Sequence, residues 1–154
     1  MEADIMKLFK LELINLAVQA TSVDDFFTQK ATELVAKDFV EESFLAAIQQ
    51  REKEFPTGLA LAGINIAIPH TDVIHIKEPF IAINRLGNPL TFMQMGTDDV
   101  EVETSDVFVL GIKDPKKQVG LLSALMDIFA NPEFVKAYQK AATTDEIIEL
   151  FTKY

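Results

Sequence analysis

Two histidines, His70 and His75, are the only side chains of this sequence whose ordinary pKa lies near neutral pH. His70 follows an apolar run and a proline, in the string Gly63-Ile64-Asn65-Ile66-Ala67-Ile68-Pro69-His70-Thr71-Asp72. Because proline lacks an N–H and ends a ladder of hydrogen bonds, His70 is predicted at a strand end, on the rim of a sheet. That position suits a nucleophile, and it equally suits a half-exposed histidine in a polar turn.

Other kinds of chemistry are excluded by composition. The sequence has no cysteine, which removes disulfide frameworks, thiolate metal sites and cysteine nucleophiles. Fourteen Lys and Arg residues against 24 Asp and Glu residues give a net charge of −10, which argues against nucleic acid and anionic membrane surfaces as partners. His70, Asp72 and His75 have no evident third strong ligand beside them, so no metal site is predicted.

The length of 154 residues predicts one domain, residues 1–154, with enough chain to bury a core. The longest apolar run, residues 107–112, is far shorter than the roughly 20 residues of a membrane helix. The first residues are acidic and unlike a signal peptide. A soluble, cytoplasmic protein without membrane insertion is therefore expected.

Short apolar runs predict strands over residues 64–68, 80–84 and 106–112. A further strand is predicted near the start, where Phe9, Leu11 and Leu13 alternate with Lys10 and Glu12. Two segments are predicted turns, Gly87-Asn88-Pro89 and Gly96-Thr97-Asp98-Asp99. The acidic run is predicted to be a solvated loop; its members are Asp98, Asp99, Glu101, Glu103 and Asp106.

Helical spacing of apolar residues predicts helices over residues 26–35, 41–54, 118–129 and 145–153, and another from Pro132. The helix over 118–129 is expected to bury one stripe, made of Val119, Leu122, Leu125, Met126 and Phe129. Helices before and after several strands indicate an α/β or α+β sandwich, with helices on the faces of the sheet. The order of the strands does not follow from this pattern.

The string around His70 resembles a known family. Gly58-Leu59 followed by Gly63 to Thr71, with Arg51-Glu52 and Thr57-Gly58 upstream, is similar to the active-site signature of the fructose/mannitol-type EIIA domains of the bacterial phosphoenolpyruvate-dependent sugar phosphotransferase system. The galactitol-type branch is indicated by the downstream residues, namely His70-Thr71-Asp72 with His75 and Pro79, and Phe92-Met93 before Met95-Gly96. The resemblance runs from about Ser22 to Phe151 and implies an α/β (α+β) sandwich with a mixed sheet.

The resemblance also implies a phosphoryl relay. The phosphocarrier protein HPr would donate a phosphoryl group to His70, which would pass it to the EIIB component of a sugar transporter, with no cofactor beyond the transient phosphohistidine. Phosphate oxygens would be stabilised by Arg51 and by the hydroxyls of Thr57 and Thr71. Arg51 has a structural alternative, as a cation near a helix end paired with Glu52 or Asp72.

His75 is either a helper, which orients His70 or donates to phosphate, or a residue in solvent. Many family members have a second active-site histidine, and the equivalent region here reads Gly111-Ile112-Lys113-Asp114-Pro115-Lys116-Lys117-Gln118. Lys116 or Lys117 would place positive charge there, or would form a solvated basic turn.

The apolar side chains of Leu59, Ile68 and Phe92 are expected either to form the contact surface for partners or to belong to the core. The net charge of −10 favours a basic protein partner, which HPr would be. Two other functions stay open from the sequence. One is a nitrogen-regulatory EIIA, and the other is a non-catalytic interaction domain of the same fold.

Overall fold

The computed structural model describes residues 1–154 and places a five-stranded sheet between two layers of helices. The strands are β1 (Phe9–Val18), β2 (Gly58–Ala60), β3 (Asn65–Ala67), β4 (Phe80–Met93) and β5 (Glu101–Gly111). The helices are α1 (Ala3–Met6), α2 (Val23–Ala36), α3 (Phe44–Glu54), α4 (Pro115–Phe129), α5 (Pro132–Lys140) and α6 (Thr144–Lys153). A 3-10 turn, Val73–His75, lies between β3 and β4.

Four helices begin where a side chain satisfies a free N–H of the first turn. Ser22 accepts from Asp25, Asp114 from Lys116, Asn131 from Glu133 and Phe134, and Thr143 from Glu146. Proline occupies the first turn of α4 and α5, where its missing N–H costs no hydrogen bond. These caps explain why the predicted helices of the last third are found close to their expected places.

The sheet is mixed, with strand order β1-β4-β5-β3-β2. β1 runs parallel to β4, and β3 runs parallel to β5, whereas β4 with β5 and β2 with β3 are antiparallel pairs. The long β4–β5 hairpin forms the centre, and its turn includes Gly96 at a positive φ of 80°, which glycine adopts without strain. The predicted turn over residues 96–99 is therefore confirmed.

Alternation along the central strands divides the core between the two faces of the sheet. Ile81, Ile83, Phe108 and Leu110 pack with α4, α5 and α6 on one face. On the other face, the buried residues of β4 and β5 pack with α2 and α3; they are Phe80, Ala82, Leu86, Leu90, Phe92, Val107 and Val109. The predicted sandwich with helices on the faces of a mixed sheet is confirmed.

Two apolar patterns were predicted only in part, since Phe9 and Leu13 of β1 and Leu125 and Phe129 of α4 are buried as expected and other members are not. In β1 the register shifts between Phe9 and Ile14, so Leu13 lies on the opposite face from Phe9, and Leu11 is 55% exposed. In α4 the buried residues are Leu121, Leu125, Ile128 and Phe129, whereas Val119 and Met126 are exposed. The helix carries two apolar stripes, and periodicity alone does not say which one faces the sheet.

Two segments that were predicted as loops lie wholly or partly in strands. Gly87-Asn88-Pro89 lies inside β4, where a register shift between Arg85 and Leu90 accommodates a proline that cannot donate to the ladder. The acidic run is a turn only at Asp98 and Asp99, because Glu101, Glu103 and Asp106 belong to β5. The helix predicted over 41–54 begins at Phe44, and the hairpin between β2 and β3 was not predicted.

None of the helices has the length and the apolar character that crossing a membrane requires.

Candidate functional site

His70 lies just after β3, held against the neighbouring strand β5. The carbonyl of Pro69 accepts a hydrogen bond from the N–H of Leu110 at 3.0 Å, and His70 pairs with Leu110 in a parallel bridge. The N–H of Ile68 donates to the carbonyl of Thr57 at 3.3 Å. The proline therefore ends the strand as predicted, but the chain continues along the sheet and keeps His70 only 8% exposed.

The tautomer of the His70 ring follows from one hydrogen bond. Nδ1 lies 2.8 Å from the carbonyl oxygen of Ile68. A carbonyl oxygen only accepts, so Nδ1 donates and carries the proton of the neutral ring. Nε2 is then the nitrogen with the free lone pair, the atom through which the neutral ring can act as a nucleophile.

Burial lowers the pKa of His70, and the positive charge of Arg51 lowers it further. The hydrogen bond to the Ile68 carbonyl and the charge of Asp72 act in the opposite direction without reversing the shift. Because the ordinary histidine pKa is about 6.5, the His70 ring is neutral at pH 7. A neutral ring is what nucleophilic attack on phosphorus needs.

Arg51 lies in the last turn of α3. Of the two partners considered for its structural role, Glu52 and Asp72, the geometry supports Asp72. Its Nη1 is 2.9 Å from Oδ1 of Asp72, and its guanidinium lies 4.8 Å from the centre of the Phe55 ring. Its Nε is buried and has no hydrogen-bond partner. Arg51 thus brings a positive charge to His70 with donor capacity in reserve, and its contact with phosphate stays a prediction.

Glu52 is hydrogen-bonded to Thr57. Its two carboxylate oxygens accept from the N–H and the hydroxyl of Thr57, each at 2.7 Å. Burial raises the pKa of Glu52 to about 7, against the two Thr57 hydrogen bonds, which lower it. The hydroxyl proton of Thr57 is therefore used by Glu52, and that of Thr71 is used by the carbonyl of Asp72 at 3.0 Å. Their roles as phosphate donors stay predictions.

His75 is not hydrogen-bonded to His70. Its Nδ1 lies 2.7 Å from Oγ of Ser43, the residue before α3. The N–H of Glu41 donates to the carbonyl of His75 at 2.9 Å, which holds the 3-10 turn against the start of α3. The ring of His75 is partly exposed and hydrogen-bonded to Ser43, and a role for it toward His70 or phosphate stays a prediction.

Of the two alternatives for Leu59, Ile68 and Phe92, a partner surface or the core, the core is confirmed. Leu59 and Ile68 belong to the core under α4, α5 and α6, and Phe92 belongs to the core under α2 and α3. Each is buried because its strand turns it inward, so none is free to touch a partner. Lys116 and Lys117 lie exposed in the first turn of α4, and their contact with a partner or a phosphoryl group stays a prediction.

The exposed apolar residues near His70 are different ones. Phe55, whose ring stacks on Arg51, is 58% exposed, and Ile74, two residues after Asp72, is 75% exposed. The spacing of Arg51 and Phe55, four residues apart in a helical pattern, is a signal that the sequence offered for this pair. Ser43 was missed because nothing in the sequence shows that its hydroxyl leaves the helix end.

No group of three or more His, Cys, Asp or Glu side chains lies together in a way that could hold a metal ion.

Comparison with known proteins places this geometry in a family. The chain is 35% identical over 130 residues to the galactitol-specific EIIA component of the phosphotransferase system from Escherichia coli strain K12, covering 84% of this chain and 85% of that protein. Among solved structures, the nitrogen regulatory protein IIA-Ntr from Neisseria meningitidis superposes with a TM-score of 0.78 at 21% identity, covering 96% of this chain and 99% of that one.

A complex of enzyme IIAMTL with phosphorylated enzyme IIBMTL from Escherichia coli contains the same fold, with a TM-score of 0.73 at 22% identity, covering 96% of this chain and 100% of that one. The family model for the phosphoenolpyruvate-dependent sugar phosphotransferase system, EIIA 2, matches residues 7–154. The match includes every residue of the site described above. The chain therefore belongs to the EIIA 2 family of the sugar phosphotransferase system, whose members are phosphotransferase components.

Proposed function

We propose that this chain is a phosphohistidine carrier, which accepts a phosphoryl group from phospho-HPr on Nε2 of His70 and passes it to the EIIB component of a galactitol-type sugar transporter. The observation that carries the proposal is the hydrogen bond from Nδ1 of His70 to the Ile68 carbonyl, because it leaves Nε2 as the free nucleophile. Family membership and the 35% identity to a galactitol-specific EIIA component support the relay and its galactitol type.

The transfer itself is an exchange of nitrogen–phosphorus bonds. The Nε2 lone pair of His70 attacks phosphorus while the bond between phosphorus and the donor's imidazole breaks, and the donor ring leaves as neutral imidazole. The Nδ1 proton stays on His70, so the phosphorylated ring gains positive charge, which the Ile68 carbonyl stabilises as acceptor. In the second transfer the His70 ring is the leaving group and returns to its starting tautomer.

Arg51 supplies the charge that the transferring group needs. The phosphoryl group in flight spreads negative charge over three oxygens, which a planar guanidinium binds well. The proposed role is supported by the effect of the Arg51 charge on His70 and by the unpartnered Nε of Arg51. The only group required in addition to the protein is the transient phosphoryl group, and neither a metal nor an organic cofactor is proposed.

Partner docking is proposed at the apolar rim, defined as Phe55 and Ile74. The Phe55 ring stacks on Arg51, and Ile74 follows Asp72 by two residues, so both exposed side chains are associated with the Arg51–Asp72 pair. Glu41 and Glu42 are exposed before α3, and the whole chain carries a net charge of −10. These features suit a partner with an apolar centre and basic surroundings, as expected of HPr in the cytoplasm.

The first experiment tests the carrier function. The protein is incubated with enzyme I, HPr and labelled phosphoenolpyruvate, alongside His70→Ala and His70→Gln. We expect acid-labile label on the wild type and none on either variant, and nitrogen-15 NMR of the labelled protein should show phosphorus on Nε2. An unlabelled wild type would overturn the proposal, and equal labelling of His70→Ala would move the site to His75.

The second experiment separates transport from regulation. The labelled protein is mixed with a galactitol-type EIIB domain and, as control, with a mannitol-type EIIB domain. Rapid loss of label to the galactitol-type domain is expected. Label that passes to neither domain would favour the nitrogen-regulatory alternative, whose fold the Neisseria structure shares.

The third experiment tests the apolar rim. Phe55→Ser and Ile74→Ser are expected to raise the KM for phospho-HPr about tenfold, because each removes exposed apolar area that docking would bury. Leu11→Ser is the matched control, since Leu11 is equally exposed on β1 at the edge of the sheet away from β3 and β2. An equal rise in the control would contradict the assignment of the docking surface.

A further inference from the structure

Two residues at the starts of helical segments do not cap them. Ser43 precedes α3 and Asp72 precedes the 3-10 turn, and both are residue types that normally accept hydrogen bonds from the first turn. Neither side chain makes such a bond, whereas Ser22, Asp114, Asn131 and Thr143 all cap their helices. Ser43 and Asp72 have therefore been diverted to other partners.

The two diverted side chains cross-link the same pair of elements. Oγ of Ser43, at the start of α3, lies 2.7 Å from Nδ1 of His75, at the end of the 3-10 turn. Oδ1 of Asp72, at the start of that turn, lies 2.9 Å from Nη1 of Arg51, in the last turn of α3. Each element thus binds the far end of the other, and we name these four residues the clasp.

We propose that Ser43 and His75 are positioning residues, which act through the clasp to hold Arg51 where a phosphoryl group on His70 requires it. This inference rests on the proposed phosphocarrier function. His75 touches neither His70 nor Arg51 by a hydrogen bond, so its influence on the reaction passes through Ser43 and the turn that carries Asp72.

The need for a second cross-link follows from the exposure of the first. Asp72 has a side chain that is 74% exposed, and an isolated ion pair at such a surface holds its partners loosely. Nε of Arg51 has no partner that would fix the guanidinium from its other side. The hydrogen bond between Ser43 and His75 restrains the turn from which Asp72 reaches Arg51. Small displacements of such a group reduce phosphoryl transfer strongly.

The atom that His75 uses makes the inference testable. The side-chain amide of asparagine places a hydrogen-bonding atom near the position of Nδ1, whereas that of glutamine reaches toward the position of Nε2. A clasp that works through Nδ1 therefore tolerates His75→Asn. A ring that donates to phosphate through Nε2 does not.

The experiment measures kcat and KM for transfer from phospho-HPr to this protein, together with an NMR titration of His70. Ser43→Ala and His75→Leu are expected to reduce kcat about tenfold and to move the His70 pKa toward its ordinary value as the Arg51 charge is displaced. Ser43→Thr and His75→Asn keep the cross-linking atoms and should stay within about twofold of wild type. The double variant Ser43→Ala/His75→Leu should be no slower than either single one.

Ser22→Ala is the matched control, because Ser22 caps α2 and takes no part in the clasp. It should lower the unfolding midpoint and leave kcat unchanged. Unchanged kcat in Ser43→Ala, or an equal loss in His75→Asn and His75→Leu, would overturn the inference. If the wild type takes no label, the proposed function fails by itself. In that case, NMR tests separately whether the clasp positions Arg51. The Nε–H signal of Arg51 should shift in Ser43→Ala but not in Ser43→Thr.

Discussion

The chain has two arginines, Arg51 and Arg85, and each is paired with an aspartate and an aromatic ring. Arg85 donates to the carbonyls of Tyr138 and Ala141 at the end of α5, at 2.8 and 2.6 Å, and lies 3.9 Å from Asp106. Arg51 has one hydrogen bond, to an exposed carboxylate, and an unpartnered Nε. Arg85 therefore ties β4 to the end of α5, whereas Arg51 makes fewer hydrogen bonds within the protein, which suits its proposed role toward a phosphoryl group.

The two aspartates differ in burial. Asp106 is mostly buried in β5, and burial raises its pKa to about 6, although the charge of Arg85 lowers it. Asp72 is exposed at the surface, and its charge acts on the pKa of His70. A buried partner commits an arginine to structure, because removing either member leaves an uncompensated group. An exposed ion pair contributes little to stability, so Asp72 does not commit Arg51 to a structural role.

The largest expected effect is at Arg51. Arg51→Met should reduce the kcat of phosphoryl transfer about 10²- to 10³-fold, the range found when one donor to a developing anion is removed. Its free energy of unfolding should change by less than about 1 kcal/mol, because an exposed pair contributes little. Rapid-quench measurement of labelled His70 and urea unfolding give the two values. A variant that transfers at the wild-type rate would remove the distinction between the two arginines.

Arg85→Met should lose stability and keep its transfer activity, the opposite of Arg51→Met. We expect a loss of about 3 kcal/mol in the free energy of unfolding, since Asp106 loses its ion-pair partner and two carbonyls lose their donors. The kcat of the folded protein should stay within about twofold of wild type. Urea unfolding measures the free energy of unfolding, and the same transfer assay measures kcat. A tenfold drop in kcat without destabilisation would show that Arg85 also serves the site.

Asp106 predicts a pH dependence of stability. Its pKa rises from an unfolded value of 3.8 to about 6 in the fold, so the native state binds the proton more tightly. The stability from this group is complete below pH 4 and is lost as the pH rises to about 6, a change of about 2 to 3 kcal/mol. Asp106→Asn should abolish this part of the change in unfolding free energy with pH, measured by urea unfolding between pH 4 and 7. Asp98→Asn, in the exposed turn, should retain it.

The smallest effect is expected at Asp72. Asp72→Asn should change the free energy of unfolding by less than about 1 kcal/mol, because the pair is exposed. It should lower the His70 pKa further, since the negative charge of Asp72 is one of the causes that raise it. NMR titration of the His70 ring measures this shift. A rise of the pKa would mean that Asp72 acts on His70 only through Arg51.

Much of the fold and part of the site follow from local patterns. Proline and glycine marked the ends of β3 and α3, and helix caps marked α2 and α6, because these signals act within a few residues. The face buried by α4, the bulges of β1 and β4 and the inward turn of Leu59, Ile68 and Phe92 depend on strands distant in sequence. Periodicity carries no information on such pairings.

The residues of the candidate site, like the elements of the fold, were predicted only where the signal was local. His70 and the charge of Arg51 were identified from residue types and a resemblance, whereas the bond between Ser43 and His75 joins residues 32 positions apart and had no signal. The burial of Glu52 likewise appears only when Thr57 folds back on it. Chemistry that resides in one side chain is visible in a sequence, and positioning that depends on two segments is not.

The hydrogen bond between Nδ1 of His70 and the Ile68 carbonyl has a stereochemical consequence for the proposed relay. Because the ring cannot turn over without breaking that bond, the phosphoryl group arrives and departs through the same nitrogen. Each in-line displacement inverts the configuration at phosphorus. A thiophosphoryl group made chiral at phosphorus by two different oxygen isotopes would therefore pass from HPr to EIIB with its configuration retained after two inversions.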